Sequence, residues 1–355
     1  MIYLDNNATT ELDPRVLAVM TEELSAPPAN PSSIHEAGRK AHNRLQNARR
    51  TVAQHFHRKP TEVVFTSGAT EAMNQLLRSL TGHIISTSIE HACIYETLQP
   101  RQNVTFVPVS TWGAPTVADI EKALRPDTKA LVLSSVNGET GVKLDVPAVV
   151  KLGVPVFLDV VAHIGKEPID LTGVAGFVVS AHKFHGPKGV GALVTSAKVP
   201  PLLTGGHQEF DRRAGTENLP AIVGFAEALK IVHDEQPAIT QHLLALRSRF
   251  ETGLLAALPH ITINGQGPRT VNVSNICFTG YDGETLLLQL DQHGIAASHG
   301  SACASGSLEP SRVLTNMGLD KKTARSSVRF SFSRMNTIEE IDEAVKTIVS
   351  LINRR

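Results

Sequence analysis

Ser180-Ala181-His182-Lys183-Phe184-His185-Gly186-Pro187-Lys188-Gly189 follows directly on Gly176 to Ser180, a short apolar run that reads as a buried strand. A lysine between His and Gly is, taken alone, an ordinary solvated loop residue. At the end of a buried strand, however, an amine can be desolvated enough to lower its pKa and form a Schiff base with an aldehyde cofactor. Ser180 and His182 flank Lys183 as potential phosphate donors. His182 and His185 stand three apart, but no acidic or cysteine ligand is nearby, so no metal is expected here.

Outward from this segment, short β-rich runs alternate with helical stretches, the pattern of a mainly parallel sheet flanked by helices. Seven runs are predicted as strands: Val63 to Thr66, His83 to Thr87, Val104 to Val109, Ala130 to Ser135, Val154 to Asp159, Gly176 to Ser180 and Gly189 to Thr195. Before them, His35 to Phe56 has apolar residues three or four apart and predicts a long amphipathic helix. After them, two helices are expected, Leu219 to His233 and Ile239 to Leu258, followed by a strand-like alternation from Ile261 to Ile276 and a final helix from Ile338 to Ile352. The fold class is therefore α/β, with a large domain over residues 13–258 and a smaller α+β domain formed by residues 1–12 and 259–355.

Composition narrows the function classes. Lys plus Arg and Asp plus Glu both number 34, so there is no basic surplus for a nucleic-acid backbone, and direct nucleic-acid binding is not expected. No apolar run approaches the roughly 20 residues that cross a bilayer, and the first ten residues lack a secretory pattern, which predicts a cytoplasmic protein without a membrane partner. Cys93, Cys277 and Cys303 are odd in number and lack CxxC spacing, as expected of reduced thiols.

Three further segments carry chemistry. Thr66-Ser67-Gly68-Ala69-Thr70-Glu71 leads from a strand into a helix, where free N–H groups and the helix dipole favour a phosphate. An ordinary helix capped by Thr66 or Ser67 is the alternative. Asp159 ends a very apolar strand, at the edge where sites form in such sheets. It is either a cap for the next segment or, beside a Schiff-base lysine, the carboxylate that keeps a pyridine nitrogen protonated. His299-Gly300-Ser301-Ala302-Cys303-Ala304-Ser305-Gly306-Ser307 surrounds a thiol with residues too small to bury it, so Cys303 is expected to be accessible and nucleophilic toward sulfur. Cys277 and Cys93 are read as packing residues.

In order and spacing, these segments resemble the group I cysteine desulfurases of the NifS/IscS type, within the class V aminotransferases of PLP fold type I. Also matching are Tyr3 to Thr10, Asn30-Pro31-Ser32-Ser33, Glu90-His91, Val136 to Gly141, Arg213 to Asn218 and Ser326 to Ser331, so the resemblance extends over nearly the whole chain. It implies a pyridoxal 5'-phosphate enzyme that converts L-cysteine to L-alanine and leaves the sulfur as a persulfide on Cys303. Delivery would be to iron-sulfur cluster assembly, other thio-cofactors or tRNA thiolation, through an acceptor or scaffold protein.

Residue by residue, the resemblance makes Lys183 the Schiff-base lysine, Asp159 the ring-nitrogen partner and His91 the group stacked on the ring. The amides of Ala69 and Thr70, with Ser180 and His182, would hold the phosphate, joined by Thr216 from the second subunit of a homodimer. Asn137 and Arg329 would bind the cysteine carboxylate, with Asn30 nearby; a guanidinium suits a carboxylate independently. One departure stands out: where the family has glutamine three residues after the aspartate, this chain has Ala162, followed by His163. The bond to the cofactor's phenolic oxygen is lost with it. A selenocysteine lyase or aminotransferase would share Lys183 and Asp159 without needing Cys303, and a degenerate, low-activity homologue is the remaining alternative.

Overall fold

The sheet strands of the protein are apolar on both faces, and that dictates a layered arrangement with helices on either side. A computed structural model describes residues 1–300 and 310–353. Its strands are β1 (Ile2–Tyr3), β2 (Val63–Thr66), β3 (His83–Thr87), β4 (Val104–Val107), β5 (Thr128–Ser134), β6 (Val156–Asp159), β7 (Gly176–Ser180), β8 (Gly191–Thr195), β9 (Ile261–Ile263), β10 (Val273–Phe278), β11 (Ile295–Ala296) and β12 (Ser327–Ser331). Seven of them form one sheet in the order β2-β8-β7-β6-β5-β3-β4. It is parallel except at β8, which runs antiparallel to both β2 and β7. All seven strands predicted from sequence are present, with ends shifted by at most two residues.

Alternation along each strand feeds two cores. Phe177 and Val179 face one, with the helices Glu36–His55 and Leu219–Ala257 packed over it; Val178 and Leu193 face the other, beneath the helix Ala69–Ser79. A further core gathers Leu4, Phe250, Ile276, Phe330 and Ile348, joining the three-stranded antiparallel sheet β12-β10-β9 to the helix Ile338–Asn353.

Two local expectations differ from the structure. The pair of helices expected around Pro237 is one helix, Leu219–Ala257. Proline removes one N–H and ordinarily breaks a helix. Here Ile231 and Val232 before it belong to the large sheet's core while Ile239 and Leu243 after it belong to the third, so packing at both ends offsets the local cost. The strand expected from Ile261 to Ile276 is divided into β9 and β10 by residues 264–272, which contain Gly265 at φ 87° and Pro268. Gly265 tolerates this backbone because it carries no Cβ.

The segment from Asn7 to Asp13 is tied into the interior. Thr10 N–H donates to His182 O at 2.9 Å, Asp13 N–H to His185 O at 3.0 Å and Asn7 N–H to Ser331 Oγ at 2.8 Å. The N-terminal segment is thus held between the lysine turn and β12. Among the described residues, no helix is long and apolar enough to cross a membrane.

Candidate active site

The carboxyl ends of β5, β6 and β7 open onto a cavity of about 560 Å³. Lys183 closes a single 3-10 turn, Ala181–Lys183, that continues directly from β7. Its Nζ donates to Ala8 O at 2.9 Å and to Asn7 O, so the N-terminal segment aims the amine into the cavity.

Asp159 ends β6, is buried, and accepts from Val161 N–H at 2.9 Å. Burial is the main influence on its carboxyl and raises its pKa, opposed by the charge of His91, the Val161 N–H and Lys183. A buried carboxylate with little local support is best held ionised by a cationic partner. His91 caps the helix Ala92–Leu98, accepts from Cys93 N–H at 3.2 Å and lines the same cavity. Cys93, expected only to pack, lines it too, with Sγ 3.1 Å from His91 Nδ1.

The segment expected to hold a phosphate is shaped by close backbone approach. A Cβ on Gly191 would lie 2.5 Å from Val179 O and 2.8 Å from Gly68 Cα, so only glycine lets β8 abut the loop that opens the helix Ala69–Ser79. Ser180 Oγ lies 3.9 Å from where a Cβ on Gly68 would be. Ala69, Thr70, Ser180 and His182 all line the cavity, so amide, hydroxyl and imidazole groups surround one end of it. Burial and the charges of Lys183, Lys188 and Lys166 push the His182 pKa down to about 4, so the ring is neutral at pH 7. A helix N-terminus, a hydroxyl, an imidazole, a lysine amine and a buried carboxylate make a donor set that fits pyridoxal phosphate.

Arg329 on β12 lines the same cavity, buried, with Nη2 2.6 Å from Asp5 Oδ1 and Nη1 donating to Gly138 O at 3.1 Å. Its Nε is buried without a hydrogen-bond partner among the described residues. Orphaned buried donors are costly, and a ligand carboxylate would satisfy this one. Asn137 also lines the cavity; its Oδ1 accepts from the N–H groups of Glu139 and Thr140, both at 3.0 Å, and its Nδ2 donates to Ile89 O at 3.1 Å.

Not every expected residue is gathered here. Asn30 is exposed, with its Oδ1 accepting from Ser32 N–H at 2.8 Å, and does not line the cavity. Thr216 is exposed and outside it as well. Cys303 lies outside the described residues. Ala162 does face the cavity, whereas His163 is buried away from it, and burial pushes its pKa down to about 4.

Sequence reasoning missed Lys166, which lines the cavity, is buried, and donates from Nζ to Lys183 O. Burial foremost, then the charges of Lys183 and Arg334, pushes its pKa down to about 7. Glu90 lines the cavity as well, accepting from Thr87 Oγ1 and Ser134 N–H, both at 2.7 Å, and burial pushes it up to about 7. Glu90 was visible only as a neighbour of His91, and Lys166 had no local signal beyond following Gly165.

The aminotransferase class-V family model matches residues 2–344. Cysteine desulfurase 2 of Trichormus variabilis is 38% identical over 373 residues, covering 100% of this chain and 94% of its own. The chain belongs to the cysteine desulfurases of aminotransferase class V. A solved NifS-like protein superimposes on this desulfurase-family chain with a TM-score of 0.92 at 33% identity, covering 100% of both. A structure described as SspA in complex with cysteine matches with a TM-score of 0.82 at 28% identity, covering 95% of this chain and 100% of that one. Members of this family are pyridoxal phosphate enzymes, in agreement with the donor set around Lys183.

Proposed function

We propose that this chain converts L-cysteine to L-alanine and takes the sulfur as a persulfide on Cys303. The observation that carries the reading is the convergence of Lys183, Asp159 and Arg329 on one cavity, in a chain whose full-length relatives are cysteine desulfurases. Lys183 would hold pyridoxal phosphate, Asp159 would face its ring nitrogen, and His91 would lie against the ring. Ala69, Thr70, Ser180 and His182 would bind its phosphate. When bound, the cofactor supplies an electron sink that stabilises negative charge on the amino acid's α-carbon.

The chain's own residues do the rest. Arg329, fixed by Asp5 and Gly138 O, orients the substrate carboxylate through its unsatisfied Nε–H, with Asn137 beside it. Lys183, once released, moves the α-proton, and its contacts to Asn7 O and Ala8 O keep the amine within the cavity. Cys303 thiolate then attacks the substrate sulfur, forming the S–S bond as the substrate's Cβ–S bond breaks. The electron pair of that bond stays with the carbon skeleton, which is protonated to alanine, and Cys303 carries the sulfur to an acceptor or scaffold protein. A cytoplasmic homodimer is part of the proposal: Thr216 is exposed, and Arg213, close before it, pairs with Glu71 at 2.9 Å in the first turn of the phosphate helix. That leaves Thr216 available to a second copy's phosphate site.

Cofactor-loaded protein mixed with cysteine under reductant should yield alanine and sulfide in equal amounts. Production of alanine by Cys303→Ser at the parent rate would sink the desulfurase reading in favour of a lyase or aminotransferase.

A further inference from the structure

His91, Cys93 and Asp159 each offer a ligand atom, and the three atoms lie within 4.8 Å of one another. His91 and Cys93 come together because one caps the helix Ala92–Leu98 and the other sits in its first turn. Asp159 reaches them only through the sheet, from the end of β6. All three line the cavity, which leaves space for a water molecule beside them.

An imidazole nitrogen, a thiolate sulfur and a carboxylate oxygen form a borderline-soft donor set. It suits zinc or cadmium, whereas magnesium and calcium prefer oxygen donors alone. Glu90 and Asp159 are both buried carboxyl groups here, and among the described residues the one nearby cation whose charge reaches Asp159, apart from His91, is Lys183. Lys183 Nζ is turned toward the carbonyls of Asn7 and Ala8. In the loaded protein, the cation facing Asp159 would be the protonated ring nitrogen.

We propose that the cofactor-free protein binds one zinc ion through His91, Cys93 and Asp159, with water as fourth ligand, and that zinc and pyridoxal phosphate exclude one another. Binding releases the Cys93 thiol proton to solvent and involves no redox change. Exclusion follows from shared groups, because the ring needs Asp159 and the face of His91. The inference rests on the cofactor site proposed above, and its consequence is that free zinc would block cofactor loading.

Cadmium is the probe, because cadmium thiolates absorb in the ultraviolet. Full-length, cofactor-free protein titrated with cadmium should show one equivalent bound with a thiolate band, and calorimetry with zinc should give the same stoichiometry. Cys93→Ser should weaken binding at least tenfold and abolish the band, with unchanged thermal melting as the control for folding. Cys303→Ser should retain the band. Preloading with pyridoxal phosphate should abolish binding, and zinc should slow cofactor uptake at least tenfold until a chelator is added. A band that survives Cys93→Ser, or disappears with Cys303→Ser, would overturn the assignment, as would equal metal binding by loaded protein. Borohydride reduction and peptide mapping separate the two levels: cofactor found away from Lys183 refutes the cofactor reading, whereas cofactor on Lys183 with undiminished cadmium binding refutes only the metal site.

Discussion

The two walls of the cavity are built in different ways. The wall with Lys183, Asp159 and Ser180 comes from neighbouring strand ends of one sheet, where Asp159 lies opposite Val178 in register and is held by an N–H two residues away. The wall with Arg329 is assembled from distant segments: Arg329 pairs with Asp5 at 2.6 Å, and Asn7 Oδ1 accepts from Asn272 Nδ2 at 3.0 Å while Asn7 Nδ2 donates to Gly138 O at 3.0 Å. On the first wall, function is expected to be removable with little effect on the fold. On the second, recognition and folding share the same contacts.

The sharpest test of that contrast is Lys183→Ala. Turnover should fall below detection while the melting temperature of the cofactor-free protein changes little, and borohydride mapping of the parent should find the cofactor on Lys183. A label on Lys188 would break the assignment.

Arg329→Ala should act on both levels at once. It removes the proposed carboxylate clamp and leaves Asp5 without its buried partner, so the Michaelis constant for cysteine should rise at least tenfold and stability fall by about 3 kcal/mol, as for other broken buried pairs. Loss of cysteine use with unchanged denaturant midpoint would show that the second wall is no more integral to the fold than the first.

A smaller, pH-dependent effect is expected at Lys166. Its folded pKa is depressed, mainly by burial, to about 7 from an ordinary 10.5. Below the folded value both states are protonated and the full penalty of burying the ammonium is present. Between the two values only the unfolded chain holds the proton, so this group makes stability rise with pH. Lys166→Met removes that dependence. The cofactor-free variant should therefore gain most over the parent near pH 6 to 7, on the order of a few kcal/mol, with the difference shrinking toward pH 10. A difference in melting temperature that stays constant across this range would refute a depressed Lys166.

Ala162→Gln should have the smallest effect. Ala162 faces the cavity, so a restored amide could donate to the cofactor's phenolic oxygen, shifting the visible absorbance titration of the loaded enzyme while activity is kept or raised. An unchanged spectrum would mean that the longer side chain does not reach the cofactor.

Legibility in the sequence follows the same division. Strand runs, the helix Glu36–His55 and the lysine and aspartate at strand ends were readable because period, burial and chain direction are local properties. Pro237 misled because the competing contribution, packing against two separate cores, has no local mark. Asn30 and Thr216 entered only through resemblance, and within one chain they stay outside the cavity.

Local pattern was enough for the doubly covered sheet and the residues delivered to its carboxyl edge, since alternation along a strand decides which side chains meet a core and where a polar one must emerge. Tertiary structure alone decided that Lys166 would lie against the lysine turn. A Cβ on Gly165 would come within 2.4 Å of Phe184 Cβ, and Thr240 Oγ1 donates to Lys166 O at 3.0 Å from the long helix. It alone also brought Cys93 to Asp159 and Asp5 to Arg329. Those meetings depend on how turns and termini dock across the sheet, and docking is set by shape and burial summed over many residues that no local pattern encodes.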